Sequence, residues 1–136
     1  MRIVLLSLLL LGAGCATQQG WSRYEMCFGL SADSGRTRIS EEQWQAFRDE
    51  EIVGRFPDGF TIYQGNGYWR ADEKTYSEPS EILMVVAPDT GDTQKRLDDI
   101  ASAYVRRFHQ DAVLQTKSKA EVDFHNHVEP VPAGSK

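Results

Sequence analysis

The sequence predicts an α+β fold, and three patterns support this prediction. Four stretches are predicted to be strands, the first of them by the strict alternation of apolar residues over 23–30, and two helical stretches lie between them. One of these strands is apolar on both faces, which is typical of a strand at the centre of a sheet. The elements follow the order β-α-β-β-α-β, which is the ferredoxin-like arrangement. We therefore expect a four-stranded antiparallel sheet with both helices on one face and the first and third strands at its centre.

The first strand and the first helix are predicted within residues 23–56. Even-numbered side chains are apolar over residues 23–30, so this stretch should be a strand with one buried face. Ser40 and Gln43 stand at the spacing of a capping box, which predicts that a helix starts at Ser40. We expect this helix to continue to about Phe56, since a turn signature follows it.

The second and third strands are predicted over residues 60–64 and 78–87. The intervening Gly65-Asn66-Gly67 predicts a bulge or a turn. The third strand carries apolar side chains at consecutive positions, so something must cover each of its faces.

The second helix is predicted by the clearest helical periodicity in the chain, which is carried by Leu97, Ile100, Ala101, Tyr104 and Phe108. We expect the last strand over residues 112–125, with a kink near residue 118. Residues 126–136 are polar and contain two prolines, so we expect a disordered tail.

The charge balance excludes some partners. The 136 residues include 15 Lys and Arg against 20 Asp and Glu, which gives a net charge of −5. An acidic chain of this kind does not bind nucleic acid non-specifically and is not drawn electrostatically to an anionic membrane. Its length is that of one domain.

The N-terminus predicts export. Residues 1–14 contain Arg2, an apolar run and Gly12-Ala13-Gly14, which together form a signal peptide, and the run is far shorter than the ~20 residues that span a bilayer. The following Cys15 resembles the lipidated cysteine of bacterial lipoproteins, which carries fatty-acyl chains such as palmitate. The alternative is ordinary secretion, with Cys15 as a free thiol.

These features divide the chain into a signal over residues 1–14, a lipid-anchored spacer over residues 15–22, one domain over residues 23–125 and a tail over residues 126–136. Ala16 follows the cysteine, which resembles the pattern of lipoproteins sorted to the outer membrane. We expect a domain anchored there through Cys15 and facing the periplasm.

Five motifs resemble a known family. The chain is similar to the bacterial family catalogued as domain of unknown function 3574, whose members are small exported or lipid-anchored proteins. The resemblance covers about residues 24–124 and implies no catalytic residues. Its motifs are Phe28-Gly29-Leu30-Ser31, Ser40-Glu41-Glu42-Gln43-Trp44-Gln45-Ala46-Phe47, Arg55-Phe56-Pro57-Asp58-Gly59-Phe60-Thr61, Gly67-Tyr68-Trp69-Arg70 and Glu78-Pro79-Ser80.

Glu51 is the most interesting acid in the sequence. On a regular helix it falls within the apolar stripe, with Arg55 one turn later. It is either a general base or ligand contact whose properties are changed by burial, or one half of a structural ion pair.

Two aromatic residues and two charged residues form a second candidate site. Tyr68, Trp69 and Arg70 follow the glycine-rich segment, and Glu78 lies across the expected hairpin. They could bind a small anionic or planar ligand by stacking and charge. Alternatively, Trp69 covers the edge of the core and Arg70 pairs with Glu78 across the strands.

Two weaker candidates remain. His125 and His127 alternate with Asp123 and Glu129, which suits a metal site only if the last strand stays extended. Otherwise they belong to a solvated tail. Cys27 points away from the predicted core, and a Cys–His nucleophile with His125 is conceivable, but no third orienting residue stands out.

The sequence therefore favours an envelope lipoprotein that is a non-enzymatic interaction or small-ligand-binding module without a cofactor. Its partners would be the membrane, through the lipid, and an envelope protein, a small ligand or a second copy of the chain. The alternative is a small dimeric enzyme with its site at the open sheet face, using Glu51 and Arg70.

Overall fold

A computed structural model describes residues 20–32 and 37–125. Four long strands form one antiparallel sheet in the order β4-β5-β1-β6, and two short strands pair separately. The first and third long strands are central, as predicted. In chain order the strands are β1 (Trp21–Gly29), β2 (Ser31–Ala32), β3 (Thr37–Arg38), β4 (Thr61–Ala71), β5 (Lys74–Pro88) and β6 (Leu114–Ala120).

The first helix, α1 (Glu41–Phe47), starts as predicted. Ser40 Oγ accepts a hydrogen bond from the Gln43 backbone N–H at 3.3 Å, and Gln43 Oε1 accepts one from the Ser40 N–H at 2.9 Å. This reciprocal pair satisfies two backbone donors that the helix itself leaves unpaired.

The prediction that this helix continues to Phe56 was wrong. The α-helix ends at Phe47 and passes into a π-helical turn, Arg48–Ile52, in which the Val53 N–H donates to the Arg48 carbonyl oxygen at 3.1 Å. Phe47 and Ile52 are five residues apart and both have no exposed surface. The wider turn brings both onto the buried face, which regular α-helical spacing would not do.

The second helix, α2 (Gly91–Phe108), is confirmed together with its buried face. Thr90 Oγ1 accepts the Thr93 N–H at 2.9 Å and caps its start. The helix ends at His109, which adopts a left-handed conformation with φ of 49°.

The core lies on one face of the sheet, with Phe28 of β1 at its centre. The Phe28 ring lies 5.4 Å from the Trp44 ring, 6.0 Å from the Phe47 ring and 4.8 Å from the Tyr104 ring, measured between centroids. These partners belong to both helices, so α1 and α2 cover the same face.

The bulge or turn predicted at Gly65-Asn66-Gly67 is absent, because β4 pairs with β5 without interruption up to its last residue. The chain reverses instead at Asp72 and Glu73, whose φ angles of 47° and 61° suit a tight hairpin. A Cβ on Gly65 would lie 2.8 Å from Ile82 Cδ1. This glycine therefore permits close cross-strand contact.

The last strand is shorter than predicted. β6 ends at Ala120, and its pairing with β1 continues unbroken through Ser118, where a kink was expected. None of the helices within residues 20–32 and 37–125 is long and apolar enough to cross a membrane.

Candidate functional site

A cavity of about 290 Å³ opens where the edge pair β4–β5 meets the segment that leads into α1. Strand side chains form one wall and residues 38–41 form the other. Its polar and charged lining consists mainly of Arg38, Glu41, Gln64, Asn66, Ser80 and Glu81. The cavity thus brings together residues that lie more than forty positions apart in the sequence.

Glu81 is the unusual member of this lining, because its side chain lies on the helix-covered face of β5 and the residue is only 3% exposed. Gln64 Nε2 donates a hydrogen bond to Glu81 Oε1 at 3.0 Å. Glu81 forms no ion pair with any Lys, Arg or His in the described part of the chain. Burial of a carboxylate without a cation is unfavourable, so this position is not explained by stability.

A second acid lies near the same end of β1. Glu78 Oε2 accepts the Ser31 backbone N–H at 3.1 Å, and a Cβ on Gly29 would lie 2.6 Å from the Glu78 carboxyl carbon. Glycine at position 29 therefore lets this carboxylate lie against the backbone, and a Cβ there would make the end of the Glu78 side chain shift.

The hydroxyl of Tyr104 connects this region to the core. It donates to the Gly29 carbonyl oxygen at 2.7 Å. Burial, followed by the charges of Glu78 and Glu81, raises the pKa of Tyr104. The hydroxyl therefore stays protonated and acts as a structural donor.

The predicted aromatic site lies elsewhere, on a hairpin that extends beyond β1. Tyr68 is 71% exposed, and Trp69 stacks on Tyr76 with the ring centroids 5.6 Å apart. The pairing of β4 with β5 puts Arg70 opposite Thr75, whereas Glu78 is opposite Gly67. The predicted cross-strand pair of Arg70 with Glu78 was therefore wrong, and Glu78 belongs with Ser31 instead.

Glu51 forms an ion pair with Arg55, as the structural interpretation of this acid predicts. Arg55 Nη1 lies 2.8 Å from Glu51 Oε2, and Arg107 Nη2 lies 3.8 Å from Glu51 Oε1. Glu51 lies in the π-helical turn and lines neither the cavity described above nor a second cavity of about 270 Å³ near the start of α2.

The remaining predicted site residues are not brought together. Cys15 and His127 lie outside the described residues, and His125 is exposed beyond the end of β6. Cys27 is half-buried on the opposite face of the sheet from the helices, where burial, then the charge of Glu25, raises the pKa of its thiol. Leu114 is its neighbour on β6, so His125 follows the far end of that strand.

No group of three or more His, Cys, Asp or Glu residues within the described ranges could hold a metal ion.

Asp89, in the loop after β5, joins three parts of the fold. It accepts hydrogen bonds from Ser22 Oγ at 3.3 Å, from Tyr24 Oη at 3.2 Å and from Lys117 Nζ at 2.5 Å. The Lys117 hydrogen bond is the main reason that the pKa of Asp89 is lowered, and the Tyr24 hydroxyl adds to it. This network ties β1 and β6 to the start of α2.

Sequence reasoning missed Glu81, although a signal was available. Glu81 has the same strand parity as Leu83, Val85 and Ala87, so it had to share their buried face. An acid in the buried row of a central strand is the pattern that points to this cavity.

The fold is similar to solved structures of a phage SAM lyase. The complex with S-methyl-5′-thioadenosine has a TM-score of 0.56 at 12% identity, with 74% of this chain and 81% of that chain covered. The apo state gives 0.56 at 11% identity, with 76% and 83% covered. At these identities the likeness concerns the fold alone.

No curated protein matches the chain in sequence. A family model described as "Protein of unknown function (DUF3574)" matches residues 23–124, which is well over half of the chain. The chain therefore belongs to the DUF3574 family of proteins of unknown function.

Proposed function

We propose that this protein is a non-enzymatic small-ligand-binding module of the bacterial envelope, with its site in the cavity at Glu81. The observation that carries the proposal is the 3% exposure of Glu81 in a cavity where the described chain supplies it with an amide donor and no cation. A buried charge that the fold leaves incompletely compensated is typical of a site that a ligand completes.

Binding is favoured over catalysis by the composition of the cavity. The described residues that line it include no Cys, His or Lys, and the second acid of the lining, Glu41, is exposed on α1 and accepts a hydrogen bond from Gln45. The alternative enzyme site also loses support, because Glu51 is held by Arg55 in a different part of the fold.

The proposed lipid anchor suits this position of the cavity. Trp21 begins β1, so only a short spacer would separate Cys15 from the sheet. Phe28, which pairs with Glu81, lies seven residues further along β1, which is about 23 Å. The cavity would therefore open toward the periplasm and away from the membrane surface.

We also infer that the architecture is ferredoxin-like. Among the four long strands, β4, β5, β1 and β6 are the second, third, first and fourth in the chain, and they lie side by side in that order. The uncovered sheet face, with Cys27, Ile82 and Met84 half-buried, supports a homodimer or an envelope partner there.

Native mass spectrometry on the detergent-solubilised, full-length protein tests the proposal. We expect a small molecule to co-purify with the wild type and with Glu121→Gln, an exposed acid with the same chemical change, and to be lost from Glu81→Gln. A wild type that carries no ligand and gains none from an envelope extract would contradict the binding function.

The same spectrum reports the subunit count. Fractionation of a Cys15→Ser variant tests the anchor, since loss of the lipid should release the protein from the membrane fraction.

A further inference from the structure

We propose that the ligand is a small zwitterion of the amino-acid class, with its ammonium group at Glu81 and its carboxylate at Arg38. This inference rests on the proposed binding function and adds the chemistry of the ligand. It follows from how the charges of the cavity are arranged, with the Glu81 carboxylate at the buried end and, beside Glu41 at the exposed end, an Arg38 guanidinium that forms no ion pair within the described residues.

The buried end of the cavity calls for a cationic donor. Glu81 Oε1 accepts one hydrogen bond from Gln64 Nε2, and none of the remaining described side chains donates to Glu81 Oε2. Every side-chain oxygen in the described residues that is fully buried has a hydrogen-bond partner. Because Glu81 Oε2 has none, it must be accessible, and the cavity is where it is reached.

An ammonium group suits this end because it has three donors and no acceptor. The Glu81 carboxyl group and the Gln64 side-chain carbonyl oxygen, which face the cavity from paired positions on β5 and β4, supply acceptors there. A charge-assisted hydrogen bond here would also compensate the buried charge of Glu81.

The exposed end of the cavity carries a guanidinium group. Arg38 lies in β3 at the mouth and forms no ion pair with any acid in the described ranges. Glu41, the other charged residue at the mouth, already accepts a hydrogen bond from Gln45 Nε2 at 2.8 Å. Arg38 can therefore bind a carboxylate through two parallel hydrogen bonds.

The size and the charge of the cavity together limit the class of ligand that it can bind. A volume of about 290 Å³ is at the lower end of the roughly 300–1,000 Å³ of ligand pockets, which favours a small ligand. A dication would meet Arg38 with like charge, and a dianion would meet Glu81 with like charge. A zwitterion satisfies both ends.

The test compares three four-carbon probes of matched length on the full-length protein in detergent. These are 4-aminobutanoate, 1,4-diaminobutane and butanedioate, supplemented by the twenty L-amino acids, with binding measured by calorimetry and by thermal shift. We expect at least one zwitterion to bind and the diamine and the diacid to bind at least tenfold more weakly.

Two variants assign the two ends of the ligand. Glu81→Gln and Arg38→Gln should each weaken the zwitterion by about tenfold or more, which is the loss expected for a charge-assisted contact. Arg38→Gln should in addition reduce the preference for the zwitterion over the diamine, whereas Glu121→Gln should change nothing. Circular dichroism and thermal unfolding of each variant show that it remains folded.

The outcomes separate the two proposals. The zwitterion inference is overturned, while ligand binding stands, if the diamine or the diacid binds the wild type as tightly as the tightest-binding zwitterion. It is also overturned if Arg38→Gln leaves the preference for the zwitterion over the diamine unchanged. If none of these probes binds and an envelope extract adds no mass to the protein, the proposed binding function fails with it.

Discussion

Phe28 connects both helices to the sheet, so its replacement by alanine is the most direct test of the packing. The residue has no exposed surface, and its ring contacts Trp44, Phe47 and Tyr104. A buried Phe→Ala change costs about 3–5 kcal/mol through lost burial and the cavity that it leaves. Loss of three aromatic ring contacts, one of which is edge-to-face, favours the upper half of this range, so we expect a loss of about 4 kcal/mol.

The assay is urea unfolding followed by tryptophan fluorescence, since Trp44 lies 5.4 Å from Phe28 and senses the cluster directly. Tyr68→Ala is the control, because Tyr68 is 71% exposed and should change the free energy of unfolding by at most about 0.5 kcal/mol. If Phe28→Ala fails to fold, Phe28→Leu should fold with a loss under about 1.5 kcal/mol.

A loss below about 2 kcal/mol for Phe28→Ala, or one equal to that of Tyr68→Ala, would refute the argument that this cluster holds the helices on the sheet.

Three further predictions concern other parts of the fold. Gly29→Ala should lower the free energy of unfolding by about 0.5–1.5 kcal/mol in urea titrations, because its Cβ would displace the Glu78 carboxylate and break its hydrogen bond with the Ser31 N–H. The ion pair of Asp89 with Lys117 should stabilise the fold fully above the ordinary pKa of an aspartate and lose this effect as the pH falls through the lowered value. The free energy of unfolding, measured as a function of pH, should therefore fall less steeply at acidic pH in Asp89→Asn than in the wild type. Burial raises the pKa of the Cys27 thiol, so at pH 7 iodoacetamide should alkylate Cys27 more slowly than it alkylates the thiol of free glutathione. Unfolding the protein in urea should make the two rates equal.

Sequence patterns predict those elements whose buried face follows from spacing alone. β1, β5 and α2 are of this kind, and the Ser40–Gln43 capping box is a purely local signal. The π-helical turn is not local, since it exists because Ile52 must reach the core that the sheet provides. The hairpin was misplaced for a related reason. Its turn uses left-handed Asp72 and Glu73, while the more obvious glycine signal serves close contact within β4.

The candidate site was harder to predict than the fold, because its charged residues meet only through tertiary structure. Arg38 belongs to the segment before α1, whereas Glu81 belongs to β5, the second strand of the β4–β5 hairpin that follows α1 in the chain. Sequence reasoning chose Tyr68, Trp69 and Arg70 because adjacent residues with attractive chemistry are easy to recognise. The alternation of β5 would have revealed Glu81 if it had been followed past the apolar residues to the next buried position.

Two acids, one in the middle of β5 and one directly after it, show what this fold does with a carboxylate that it needs for stability. Asp89 receives hydrogen bonds from Ser22, Tyr24 and Lys117, one of which is a cation. Glu81 is more buried but receives only the Gln64 amide from the described residues.

If Glu81 were structural, its replacement by a neutral isostere should weaken the fold, as Asp89→Asn should. If its charge is kept for a ligand, the two changes should act in opposite directions in the ligand-free protein. We expect Glu81→Gln to raise the free energy of unfolding and Asp89→Asn to lower it, since only the first removes a buried charge without a cationic partner. Urea titrations of both variants beside the wild type decide between these cases, and a loss of stability in both would identify Glu81 as a structural residue.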